Sequence, residues 1–79
     1  MTLDQLPPRR RASIVAIDWD SVAPEEAKRL QALGIDEGVE VAVAHRGVFG
    51  GRDPLALSIG RMTLAVRRSH AAAITITEL

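Results

Sequence analysis

The chain has 79 residues, 47% hydrophobic and 25% charged, with ten Lys and Arg balanced by ten Asp and Glu and no cysteine. Surface scaling at this size lets folding bury roughly 60% of what the unfolded chain exposes, enough for one small core but not for a separate catalytic domain. The missing thiols exclude a disulfide scaffold, a thiolate zinc site, an iron–sulfur cluster and a cysteine nucleophile, and they point to a reducing compartment.

The N-terminus carries its acid at Asp4 and its bases at Arg9-Arg10-Arg11, the reverse of a secretory leader, and no apolar run approaches membrane-spanning length. A cytoplasmic protein is expected. Residues 1–40 hold five basic and eight acidic side chains and residues 41–79 hold five and two, so the halves stand at about −3 and +3. With no net charge overall the chain lacks the field that non-specific nucleic-acid binding needs, and no nucleic-acid partner is expected.

Residues 1–11, with Pro7-Pro8 and three arginines, read as an extended, solvated lead-in on which Leu3 and Leu6 are possible anchors to a domain spanning 12–79. Ser13 to Ile17 is short and β-branched and forms a first strand, with Ile14 or Val15 facing inward. Pro24 to Gly34 carries the helix signals: Pro in the first turn, acids early, bases late and Gly after the end. Ala27, Leu30 and Leu33 make its apolar stripe, and Glu25 stands four residues before Arg29 as an ion pair on the other side.

After a turn at Ile35-Asp36-Glu37-Gly38, Val39, Val41 and Val43 alternate with Glu40 and Ala42 in a half-buried second strand. Residues 45–53 hold Gly47, Gly50 and Gly51 and read as a long loop ending at Asp53-Pro54. A two-residue type II′ turn at Gly60-Arg61 sets Ile59 opposite Met62, Leu57 opposite Leu64 and Leu55 opposite Val66, all six on the core face. The opposite face shows Ala56, Ser58, Thr63 and Ala65, small enough to accept a close neighbour. Arg67 to Ala73 reads as a corner with one helical turn, and Ile74 to Thr77 as the closing strand. The fold expected is mainly β: a small, partly open barrel of about five strands, with one α-helix between the first two.

The run Arg29-Leu30-x-x-Leu33-Gly34-Ile35-x-x-Gly38-x-x-Val41, followed by Asp53-Pro54-Leu55, Gly60-Arg61, Leu64-Ala65-Val66-Arg67 and Ala71-x-x-Ile74, resembles the FeoA family of ferrous iron transport accessory proteins over about residues 12–77. The order and spacing together carry the resemblance, since R-L-x-x-L-G alone is common. It implies an SH3-like barrel that works in the cytoplasm with the membrane ferrous-iron transporter FeoB, whose N-terminal part binds GTP. Where a glycine commonly precedes the first strand in that family, Pro8, Arg9, Arg10 and Arg11 stand here.

The residues themselves narrow the chemistry. The single lysine, Lys28, sits on the helix and not behind a Gly-rich loop, so the phosphate-cradling P-loop pattern is absent. A Ser-His-acid triad drawn from Ser13, Ser58 or Ser69 with His70 has no nucleophile-elbow context, and no enzyme is expected. His45 and His70 are the only imidazoles, and a two-His-one-carboxylate Fe(II) site would need both to meet, with Asp53 or another acid completing it. The chain places them far apart, and the bland reading is an exposed loop-edge His45 and a corner His70. No cofactor is called for; Fe(II) or another transition metal is the ion such a set would hold.

Trp19 and Phe49 are the only aromatic residues, too few for a proline-motif groove or for stacking on single-stranded nucleic acid. Trp19 reads as a core anchor. Phe49 lies between Val48 and Gly50-Gly51, where its ring either folds back or meets a partner. Together with Arg46, Val48, Arg52, Arg61 and Arg67 it makes the partner-binding set expected to face FeoB. The competing expectation is a domain that senses Fe(II) directly.

Overall fold

The computed structural model describes residues 1–44 and 53–79. Within them β1 (Arg11–Ile17), α1 (Pro24–Ala32), β2 (Glu40–Val43), β3 (Leu55–Ile59), β4 (Met62–Val66), α2 (Arg68–Ala71) and β5 (Ile74–Glu78) follow in chain order, with single 3-10 turns at Leu3–Gln5 and Trp19–Ser21. The strands form one antiparallel sheet in the order β4-β3-β2-β1-β5. No helix among the described residues is long and apolar enough to cross a membrane.

β1 buries Ala12 and Ile14 by simple alternation and then breaks it: Ile14 pairs with Ile76 but Ala16 pairs with Thr75. The extra residue of this bulge is Val15, which is left 49% exposed. Of the two inward candidates, Ile14 is therefore the core residue. On β2, Val41 and Val43 are buried and Val39 is half-buried just before it. The turn between α1 and β2 is pinned to β1, with Gly38 N–H donating to the Ile14 carbonyl at 2.8 Å and Ile14 N–H to the Val39 carbonyl at 3.0 Å.

The stretch expected as an extended lead-in contains the turn at Leu3–Gln5 and covers the outer edge of β5. The Met1 carbonyl accepts the Ile76 N–H at 2.8 Å, Thr2 bridges to Thr75, and Leu3 and Leu6 are fully buried. Leu3 and Leu6 thus serve as the anchors expected of them, and the outer edge of β5 at Thr75 and Ile76 does not stand as a bare template for another chain. Arg9 then turns the chain into β1 with φ 69 while its N–H donates to the Val43 carbonyl at 2.9 Å. That left-handed conformation favours glycine, the residue commonly found ahead of this strand in the family the sequence resembles. Arg10 and Arg11, expected as free in solvent, are exposed but each is paired, with Glu78 on β5 at 2.5 Å and Glu40 on β2 at 3.0 Å.

α1 starts at Pro24 as expected and ends one residue early, with Leu33 closing it and Gly34 taking φ 100. Leu30 is fully buried, and Ala27 and Leu33 pack against the core from either side of it. The Arg29 partner is Glu26, not Glu25: Arg29 Nε and Nη2 donate to the two Glu26 oxygens at 2.5 and 3.1 Å. Arg29 is turned toward β4, where Nη2 also donates to the Ala65 carbonyl at 2.8 Å, and Glu26 lies on that side of the helix.

The β3–β4 hairpin has the expected register throughout, from Leu55 opposite Val66 to Ile59 opposite Met62, with Gly60 at φ 59. Two side-chain expectations fail. Met62 is 40% exposed, because it opens an edge strand beside the exposed Gly60-Arg61 turn, where the core has run out. Ala56, expected on an open face, is buried although it stands outside the core cluster that Leu55 and Leu57 join: β3 runs between β4 and β2, and a methyl side chain there keeps little surface of its own.

Candidate functional site

Arginine arrangement separates structural from available charge. Arg10, Arg11, Arg29 and Arg68 all hold carboxylates or carbonyls of the fold. Arg61, in the β3–β4 turn, and Arg67, at the start of α2, are exposed, and among the described residues their side chains pair with nothing. Arg46, Val48, Phe49 and Arg52, the other four of the expected partner-binding set, lie outside the described residues, as does His45.

The described end of that loop is held against α2. Asp53 Oδ1 accepts the Arg68 N–H at 2.9 Å, so its carboxylate serves a free donor of the first helical turn. This sets residue 53 beside Arg67. Arg68 reaches the other way, Nη2 donating to the Asp4 carbonyl at 3.0 Å, while its Nη1 is buried without a hydrogen bond. α2 is thus the junction of the loop end, the N-terminal turn and β5, a role the single helical turn expected there did not announce.

His70, the third α2 contact, points its Nδ1 at Glu26 Oε2 of α1 at 3.5 Å and is mostly buried. Arg29 holds the Glu26 carboxyl below its ordinary range, chiefly by hydrogen bonding, against the opposing push of partial burial, and His70 adds to the lowering. Arg29 is raised in turn by the same contact. Of the metal-ligand candidates, then, His70 faces Glu26 and Asp53 caps α2; no group of three or more His, Asp or Glu among the described residues is placed to hold a metal. Trp19 is half-buried against the core, as expected, yet part of it lines a surface cleft with Ile35 and Val39.

Residues 1–78 match the FeoA domain family. Among solved structures, the FeoA protein of Chlorobium tepidum is 29% identical with a TM-score of 0.82, covering 100% of this chain and 70% of its own. FeoA of Stenotrophomonas maltophilia is 30% identical at TM-score 0.76, over 98% of this chain and 89% of its own. It was solved with zinc and is described as a prokaryotic SH3 domain protein with a suggested part in activating ferrous iron transport. Iron(II) transport protein A of Clostridium thermocellum, at 24% identity and TM-score 0.82, shares the fold over 100% of this chain and 46% of its own. No curated protein matches. The five-stranded sheet with its single long helix is the SH3-like barrel of these structures.

Proposed function

The chain belongs to the FeoA family, and we propose that it is a cytoplasmic accessory of ferrous iron uptake that binds the cytosolic GTP-binding part of the transporter FeoB. One observation supports a protein-facing surface most directly: among the described residues Arg61 and Arg67, like Arg9, are exposed with unpaired side chains, in a fold that gives four other arginines internal partners. The Asp53 contact to α2 sets residue 53 next to Arg67, and the sequence assigns Arg46, Val48, Phe49 and Arg52 to the same interface. An aromatic anchor with a rim of arginines suits a protein interface, where buried aromatics and Arg dominate the energy. With Lys28 on α1 and no P-loop, the GTP chemistry belongs to the partner.

A second reading, direct Fe(II) sensing, draws on the zinc in the S. maltophilia relative. Capture of the chain by the cytosolic part of FeoB, run beside an Fe(II) titration of the chain alone, separates them. The accessory reading expects capture that Arg61→Glu with Arg67→Glu weakens about tenfold, through lost charge complementarity. Stoichiometric iron binding that disappears with His45→Ala and His70→Ala, without capture by FeoB, establishes the sensing reading instead.

A further inference from the structure

The acidic half of the chain has its own surface feature. A cleft of about 510 Å³ opens between the end of α1 and the turn into β2, lined by Trp19, Gln31, Gly34, Ile35, Asp36 and Val39. Its apolar wall is built from the half-buried Trp19 and Val39 and the buried Ile35. Its polar side chains are Gln31 and the acid Asp36; Glu37 follows Asp36 and Asp18 and Asp20 flank Trp19 in the chain, and all four acids are exposed.

None of these four carboxylates takes part in an ion pair among the described residues, where Glu26, Glu40 and Glu78 take all the arginines that are paired. Asp18 accepts only the Ser21 hydroxyl at 2.6 Å, and Asp36 the Glu37 N–H at 2.8 Å, local bonds that leave the negative charge uncompensated. The α1 cation outside any ion pair among the described residues is Lys28, one turn before Gln31 and exposed.

We propose that this cleft docks an arginine- or lysine-bearing segment of a partner protein. The match is chemical. An indole beside unpaired carboxylates attracts a cation by ring quadrupole and charge together. The long alkyl stem of Arg or Lys covers the Ile35 and Val39 wall while its head stays among the acids. An acidic segment or a nucleic acid meets the like charge of Asp36, with Asp18, Asp20 and Glu37 next in sequence to lining residues, and a wholly apolar helix strips water from a carboxylate it cannot pair. A second copy of this chain offers exposed arginines such as Arg61 and Arg67 in place of a partner segment, and the titration below reads that case as an emission change that tracks self-association. The cleft shares no residue with the arginine surface assigned to FeoB and has the opposite charge, so the proposal does not rest on that assignment.

Trp19 is the only tryptophan, so all tryptophan emission comes from a ring that lines the cleft. The full chain is titrated with a blocked Arg-Leu-Arg-Leu-Arg peptide and with its Glu-Leu-Glu-Leu-Glu counterpart, with amide shifts mapped in parallel. Docking predicts a saturable Trp19 response to the basic peptide alone, with shifts centred on Gln31, Ile35, Asp36 and Val39. Asp20→Asn and Asp36→Asn each weaken it about two- to fivefold at low salt, the scale of one exposed charge pair, while Lys28→Ala does not weaken it. Equal responses to both peptides, shifts centred elsewhere, or an emission change that tracks self-association in sedimentation overturn the proposal. No transporter is present in the titration, so its failure and that of FeoB capture are separate events.

Discussion

Leu30 sits at the centre of the α1 stripe with no exposed surface, in a core that has few larger side chains. Leu30→Ala is expected to cost about 2–4 kcal/mol, lost transfer energy plus the cavity left behind, measured by urea denaturation. Arg9 makes the opposite prediction. A left-handed backbone costs an L-residue about 1–2 kcal/mol and glycine's extra unfolded freedom costs about 0.5–1 back, so Arg9→Gly is expected to stabilise by about 0.5–1 kcal/mol. Glu26 has a folded-state pKa below the ordinary glutamate value of 4.5, so its pairing stabilises the fold above that value and is lost as pH falls through the lowered one. Because Arg29 is 43% exposed, the gain is under about 1 kcal/mol, and Glu26→Gln should flatten that acid limb of the stability curve by this amount. Ile14, Leu30 and the hairpin leucines were legible in the sequence because periodicity alone points them inward. Met62 was misplaced because register says which face a residue takes but not where the core ends, and Ala56 because a strand's neighbours on the far side are a property of the whole sheet.

At the scale of elements, α1, the hairpin and β5 follow from local signals: Pro24 and Gly34 at the helix ends, Gly60 in the turn, a β-branched run at the C-terminus. What was not legible is how elements meet. Nothing in the spacing of Glu25, Glu26 and Arg29 says that the β4 carbonyl of Ala65 will turn Arg29 toward Glu26, and nothing near Arg68 or His70 says that α2 will gather Asp4, Asp53 and Glu26. The N-terminal turn belongs to this level too. With Leu3 and Leu6 fully buried and Met1 and Thr2 paired to β5, Leu6→Ala is expected to cost about 2–3 kcal/mol, as in any sealed core position. It should also raise hydrogen exchange at Ile76, whose N–H donates to Met1; an unchanged rate there would mean that the turn is not what seals that edge.

For the whole molecule, the division of charge between the halves has a structural counterpart among the described residues: unpaired acids lie in the Trp19 cleft and next in sequence to its lining, and unpaired arginines at the hairpin turn and the start of α2. Charge divided in this way steers and orients diffusional encounter with charged partners. The central claim is that FeoB is met through the arginine surface and the Phe49 loop. Calorimetric titration of the cytosolic GTP-binding part of FeoB with the full chain, as wild type and as Phe49→Ala, tests it most directly. The account predicts saturable binding that Phe49→Ala weakens by about 1–3 kcal/mol, the scale of an aromatic anchor, with thermal stability little changed. Wild-type affinity retained by Phe49→Ala, or a variant that unfolds while its folded fraction binds as tightly as before, would place the ring in the core and contradict the account.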